Sequence, residues 1–164
     1  MNETTYSLMA EELKRWDGDK AKVLDVGSLD VNGNYRELIT SRGWEYTGLD
    51  IEPGKNVDIV AKGPYCFGGA VARNFDIVIS GSTMEHVKAI WLWVPELVSR
   101  LRLGGMLAIV THWQFPEHRY PVDCWRIMPD GMRHLFNETG QLIDYHIQIA
   151  NERDIVGSAF KLPF

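Results

Sequence analysis

The stretch KVLDVGSLDVNG, Lys22 to Gly33, reads as a short strand, Lys22–Val26, that runs straight into a turn bearing a glycine and a second acid. Gly27 allows the backbone to bend sharply there and brings main-chain N–H groups near a ligand. A helix over Asn34–Ser41 follows, with Tyr35, Leu38 and Ile39 on one face and Gly43 as its stop.

The same alternation extends in both directions. Upstream, Leu8, Met9, Leu13 and Trp16 recur at helical spacing over residues 4–16, and Asp17-Gly18 ends that helix. Downstream, Trp44–Asp50, Val57–Ala61 and the nearly all-apolar Phe75–Ser80 read as strands. The segment 62–74 is loop-like, with room for at most a short helix. Lys88–Leu103 carries Ile90, Val94, Leu97, Val98 and Leu101 on one stripe, is interrupted by Pro95 and ends at Gly104-Gly105. Met106–Thr111 is a fifth strand, His112–Ile127 a long polar-aromatic loop, and about Pro129–Asn137 a helix. Leu142–Ile149 and Asp154–Leu162 close the sheet. Strands alternating with helices imply right-handed crossovers, so the expected fold is α/β, doubly wound, around a mostly parallel sheet.

The 164 residues favour one domain, 1–164, with an N-terminal helix in 1–18. Hydrophobic residues at 45% and charged residues at 24% exclude a disordered chain. A formal net charge of −5, with basic pairs such as Arg100/Arg102 and Lys14/Arg15 mixed among acids, argues against a nucleic-acid partner. No apolar run approaches the ~18–20 residues of a membrane span. The N-terminus lacks the pattern of a secretory signal, and Cys66 and Cys124 form no CxxC pair. A cytoplasmic protein without a disulfide framework is therefore expected. Oligomeric state stays open, although Trp91 and Trp93 are candidates to cover an interface.

The ligand class follows from the first turn. In a doubly wound sheet, ligands sit beyond the carboxyl ends of the central strands. A dinucleotide site needs G-x-G-x-x-G, whereas Leu29 stands at the second glycine here and Asp30 adds a negative charge. A pyrophosphate beside Asp25 and Asp30 would be repelled; a ligand with a cationic centre and an ammonium group would not.

Four segments in order, VLDVGS, YTGLDIEPG, FDIVISGSTMEHV and LRLGGMLAIVTH, resemble the motifs of class I S-adenosylmethionine-dependent methyltransferases over most of the chain. The resemblance implies a seven-stranded Rossmann-like sheet whose last strand is antiparallel, and S-adenosyl-L-methionine as cofactor. It places Asp25 near the amino end of the methionine portion, Gly27, Ser28 and Leu29 along its path, and Asp30 near the ammonium. Asp50 corresponds to the carboxylate that takes both ribose hydroxyls, and Ile51 would pack on adenine. Lys62 stands where many relatives carry an aspartate for the adenine amino group, which leaves backbone groups from Gly63 to Tyr65 to read the base. Ser80, Gly81 and Ser82 would flank the transferred methyl.

The loop THWQFPEHRYPVDCWRIMPDG resembles a small type-11-like subgroup often encoded near polysaccharide-assembly genes, through His118, Tyr120, Pro121, Asp123, Trp125 and Arg126. That implies an acceptor-side loop at 112–127 and a small-molecule or sugar-related acceptor. Tyr120, Asp123, Trp125 and Arg126 are its candidate binding residues, with Arg126 suited to clamp an anion. The Asp/Asn-Pro-Pro-Tyr and Pro-Cys signatures of nucleobase methylation are missing, so oxygen is the expected target. An oxygen acceptor needs a base, for which His86 and His118 are the candidates. His112, His118 and Asp123 match no standard ligand spacing, so no metal is expected. Two other readings remain: a catalytically weak methyltransferase-like scaffold, which Lys62 and the missing glycine favour, and an NAD-type oxidoreductase, which the acidic turn disfavours.

Overall fold

The computed structural model describes residues 3–164. Its seven strands are β1 (Lys22–Val26), β2 (Glu45–Asp50), β3 (Ile59–Val60), β4 (Phe75–Gly81), β5 (Leu101–His112), β6 (Leu142–Ile149) and β7 (Asp154–Lys161). They form one sheet in the order β3-β2-β1-β4-β5-β7-β6. All pairs from β3 to β5 are parallel, and β7 runs antiparallel to both of its neighbours. The expected seven strands with an antiparallel last one are present. The chain order reverses between β1 and β4, which puts the ligand crevice at the ends of those two strands.

Alternate residues of each central strand face opposite layers. Val23, Ile77, Ile79, Met106, Ala108 and Val110 meet α1 (Glu3–Glu12), the 3-10 turn Leu13–Arg15 that follows it and α2 (Arg36–Thr40) through Met9, Leu13, Leu38 and Ile39. Leu24, Val78, Leu107 and Ile109 face α3 (Ile90–Arg100) and α4 (Pro129–Glu138), which contribute Trp93, Val94, Leu97, Met132 and Phe136. Both faces of the sheet are covered, which is why its strands read as continuous apolar runs. Trp93 is buried in this layer and so covers no interface, while Trp91 is 56% exposed. Pro95 lies inside α3, and the carbonyl it leaves unpaired four residues earlier belongs to this exposed Trp91, where water can serve it.

Among the boundaries that differ from the sequence expectation, those of the third and fifth strands have a visible cause. The third strand is only Ile59–Val60, because Asp58 is drawn aside to accept from Gly48 N–H and Arg36 at 2.7 Å each. The helix before β5 ends at Arg100, and β5 begins at Leu101. Phe75 faces Leu101 and Ile77 faces Met106, so residues 102–105 bulge opposite Asp76. Asp76 holds the bulge, accepting from Arg102 Nε at 2.5 Å and Lys22 N–H at 2.7 Å. Among the described residues no helix is long and apolar enough to cross a membrane.

Candidate active site

The turn after β1 is built as the first strand's sequence requires. Gly27 has φ +83°, and a Cβ there would overlap the Thr83 side chain from the turn after β4. The two central loops therefore close on each other at the sheet's switch point. The amides of Gly27 and Ser28 both donate to Leu49 O, at 2.9 and 3.1 Å, and Leu29 N–H donates to Asp50 Oδ2 at 3.0 Å. Leu29 also packs beside Gly54 of the following loop. These donors, expected to line the ligand's path, are thus engaged with β2 and its carboxylate.

Asp25 lies beneath the turn. It is buried, and Tyr46 Oη donates to it at 2.6 Å, with Asn56 Nδ2 donating in turn to Tyr46 Oη at 2.7 Å. Burial pushes its carboxyl up to about 7, against the Tyr46 hydrogen bond and with help from the Asp50 charge. Asp30 does not reach for an ammonium as expected. Lys55 pairs with it at 2.8 Å, Gly33 N–H and Asn34 Nδ2 donate to it at 2.8 Å, and these partners hold its carboxyl at about 2. Its charge is spent on closing its own loop.

Asp50 ends β2 beside the turn. Each carboxylate oxygen accepts one backbone N–H, from Leu29 and from Glu52 at 3.2 Å, which leaves a lone pair on each for a diol. Ile51 is half exposed next to it. The 62–74 loop folds back from β3, with Gly63 bridged to Cys66 and Tyr65 Oη accepting from Ala89 N–H at 3.0 Å. The buried Arg100 side chain holds this loop from below by donating to Val71 O at 2.8 Å, and Glu96 accepts from Phe67 N–H at 2.8 Å. Lys62 is exposed, its stem against Gly68.

At the end of β4, Ser80 is buried and donates to Val26 O at 2.7 Å. Gly81 lies over the ring of the buried Tyr35, whose hydroxyl a Cβ there would strike. Ser82 has φ +51° and donates its N–H to Val110 O at 2.9 Å. A short turn of helix, Met84–His86, follows.

That turn sets Glu85 among three histidines. Glu85 is fully buried; its Oε2 accepts from Thr111 Oγ1 at 2.8 Å, and among the described residues its Oε1 has no hydrogen-bond partner. His112 Nε2 stands 3.3 Å from Oε1, His118 Nε2 3.8 Å and His86 Nε2 3.9 Å. The opposite ring nitrogens are all engaged. His86 Nδ1 is 2.6 Å from Val122 O, His112 Nδ1 is 2.9 Å from Asp154 Oδ1, and His118 Nδ1 is 3.4 Å from both Pro116 O and Asp123 Oδ2, the latter also accepting from the His118 backbone N–H at 2.8 Å. The sequence offered His112, His118 and Asp123 as a group whose spacing matches no ligand motif; the structure puts Glu85 between the imidazoles and Asp123 behind His118. Asp154 is the partner that sequence reading missed. Burial works to raise its carboxyl, but hydrogen bonds from His112, Arg153 and Asn151 outweigh it and hold it at about 2.

The 112–127 loop folds over this cluster. Arg126 is not the free anion clamp that the motif implies. Its Nη1 and Nη2 each donate to Asp123 at 2.7 Å, and Nε and Nη2 donate to Phe115 O and Pro116 O at 3.0 Å each. Arg126 holds the Asp123 carboxyl far below its usual range, so the pair braces the loop. Trp125 packs against the core and donates to Val87 O at 2.8 Å, which makes it a packing residue. Tyr120 is 59% exposed with its ring 6.4 Å from that of His86, and is the one aromatic of the four expected contacts that faces outward.

No protein-family model matches the chain, and no curated protein matches its sequence. Solved structures do. The Burkholderia thailandensis 1,6-didemethyltoxoflavin-N1-methyltransferase, with bound 1,6-didemethyltoxoflavin and S-adenosylhomocysteine, is similar at a TM-score of 0.71 and 16% identity, over 98% of this chain and 77% of that one. A SAM-dependent methyltransferase from Archaeoglobus fulgidus gives 0.69 and 16% identity, over 95% and 94%. Another from Aquifex aeolicus gives 0.68 and 14%, over 93% and 89%. The chain has the Rossmann-like fold of these methyltransferases.

Proposed function

We propose that this protein is an S-adenosyl-L-methionine-dependent methyltransferase that acts at an oxygen of a small-molecule or sugar-related acceptor. The observation that carries the reading is the pairing, at the sheet's switch point, of the Gly27 turn with the Asp50 carboxylate, whose free lone pairs fit a ribose diol. A cofactor bound there would supply an electrophilic methyl group on a sulfonium, with a thioether as the leaving group.

The chain's own residues supply position and proton transfer. Asp50 accepts the two ribose hydroxyls as charge-assisted hydrogen bonds. Ile51 and the backbone of Gly63 to Tyr65 cover the base, and Ser80, Gly81 and Ser82 border the reacting end. His86 donates from Nδ1 to the Val122 carbonyl, so its Nε2 carries the lone pair that takes the acceptor's hydroxyl proton. His118 is the second candidate base. Tyr120 offers the outward ring for the acceptor. Alignment within this crevice contributes much of the acceleration.

Calorimetry with S-adenosylmethionine, S-adenosylhomocysteine and NAD tests the reading. Micromolar binding of the first two supports it. Binding of neither favours the scaffold, which the internally engaged amides of Gly27–Leu29 also favour. Binding of NAD alone favours the oxidoreductase. Asp50→Ala is expected to weaken S-adenosylhomocysteine by ~1–3 kcal/mol, the loss of charge-assisted hydrogen bonds. An unchanged Kd in a folded variant removes Asp50 from the site.

A further inference from the structure

The cluster around Glu85 gathers three imidazole nitrogens about a buried carboxyl oxygen that has no hydrogen-bond partner among the described residues. The Nδ1 of His86 faces Val122 O, that of His112 the Asp154 carboxylate and that of His118 Pro116 O, which turns the Nε2 of all three rings toward Glu85. Three such nitrogens converge on Glu85 Oε1, a carboxyl oxygen of a fully buried residue that has no hydrogen-bond partner among the described residues. Even the nearest ring nitrogen, His112 Nε2 at 3.3 Å, makes no hydrogen bond to it. Leaving a buried carboxyl oxygen without a partner costs free energy. A cation at the centre of these groups removes that cost.

We propose that Glu85 Oε1, His112 Nε2 and His118 Nε2 form a binding site for a divalent first-row transition-metal ion of the zinc class. The three donor atoms lie within 4.8 Å of one another. A tetrahedral ion with ligands at about 2.0–2.1 Å needs donors about 3.4 Å apart, so contraction of the cluster by about an ångström completes the site. Two imidazoles and one carboxylate suit zinc, iron or nickel, whereas magnesium prefers an all-oxygen shell. The outer shell is already in place: Asp154 behind His112, Asp123 behind His118 with Arg126 fixing it, and Thr111 on the second Glu85 oxygen. Ligating histidines ordinarily have such partners on their far nitrogen. Three protein ligands leave a fourth position on the side of His86, whose Nε2 is 3.9 Å from Oε1. The site does not rest on the methyl-transfer reading; under that reading, His118 as a ligand leaves His86 as the base, and the fourth position is where an acceptor oxygen would coordinate and lose its proton more readily.

The test is titration of chelator-treated protein with Zn²⁺ and Co²⁺, followed by calorimetry and by the visible absorption of bound cobalt. One equivalent per chain is expected. Glu85→Gln and His118→Ala should each weaken binding by more than the roughly 10–100-fold typical of an outer-shell change, and Asp154→Asn by an amount within that range. Circular dichroism and S-adenosylhomocysteine titration of the same samples separate loss of the metal site from loss of the fold or of the cofactor site. Absence of stoichiometric binding of either ion to the wild-type protein would overturn the proposal. So would undiminished affinity in folded Glu85→Gln, or nitrogen-15 NMR showing the metal-free imidazoles doubly protonated around Glu85 with added zinc leaving their signals unchanged.

Discussion

Gly27→Ala is expected to destabilise the protein by about 2–5 kcal/mol and to abolish measurable cofactor binding. Two separate penalties add. A non-glycine residue in the left-handed region costs about 1–2 kcal/mol, and Gly27 sits at φ +83°. The new methyl group would also overlap the Thr83 side chain, and forcing extra atoms into a packed contact costs about 1–3 kcal/mol. The two are separable, because Thr83 belongs to the turn after β4. In a Thr83→Gly background the same change should cost only the conformational part, roughly 1–2 kcal/mol by urea unfolding. Equal costs in both backgrounds would mean that the β1 and β4 turns do not pack on each other as described. The functional loss has the same origin, since moving either turn misplaces the switch-point crevice.

The architecture was legible because its strands are buried on both sides. Apolar runs such as Phe75–Ser80 and the stripe Ile90, Val94, Leu97, Val98, Leu101 mark burial directly, and each of those helix-stripe residues is in the core. The bulge at 102–105 was hidden because Gly104-Gly105 reads as a turn, while the cause is Asp76 on the neighbouring strand. The site was legible only where one strand end carries the chemistry, as with Gly27 and Asp50. Arg126 shows the limit. A sequence records its charge but not that the same loop folds back and uses its donors on Asp123, Phe115 and Pro116. The Glu85 cluster was illegible for a related reason. Its members come from the turn after β4, the end of β5, the 112–127 loop and the start of β7, and no linear spacing joins His112 to Asp154. What brings them together is register: Gly81 pairs with Val110 and His112 with Asp154, so the ends of β4, β5 and the antiparallel β7 share one edge.

Stability is expected to fall by about 4 kcal/mol through Asp25 alone as the pH rises from 4 to 8. The carboxyl titrates near 3.8 when unfolded and near 7 in the buried site under the turn. Between those values the folded protein holds a proton that the unfolded chain has lost, so unfolding becomes easier with rising pH, and the slope vanishes above about 7. Burial is the main cause, and Asp50 adds to it, whereas the Tyr46 hydroxyl opposes both. Asp25→Asn, which keeps the shape and cannot ionise, should flatten this part of the profile. Tyr46→Phe removes a hydrogen bond to the ionised form and should carry the loss on to higher pH. The difference between wild-type and Asp25→Asn urea unfolding energies isolates the effect, because Asp30, Asp123 and Asp154 are all held low and have finished titrating by then in the folded state. Parallel curves for the two proteins from pH 4 to 8 would show that Asp25 is ionised throughout. The same ionisation places a negative charge under the turn only above neutrality, so affinity for a sulfonium cofactor should rise through pH 7 in the wild type and stay level in Asp25→Asn. Binding of the neutral thioether product, which keeps the ammonium but lacks the sulfonium charge, should change less over that range.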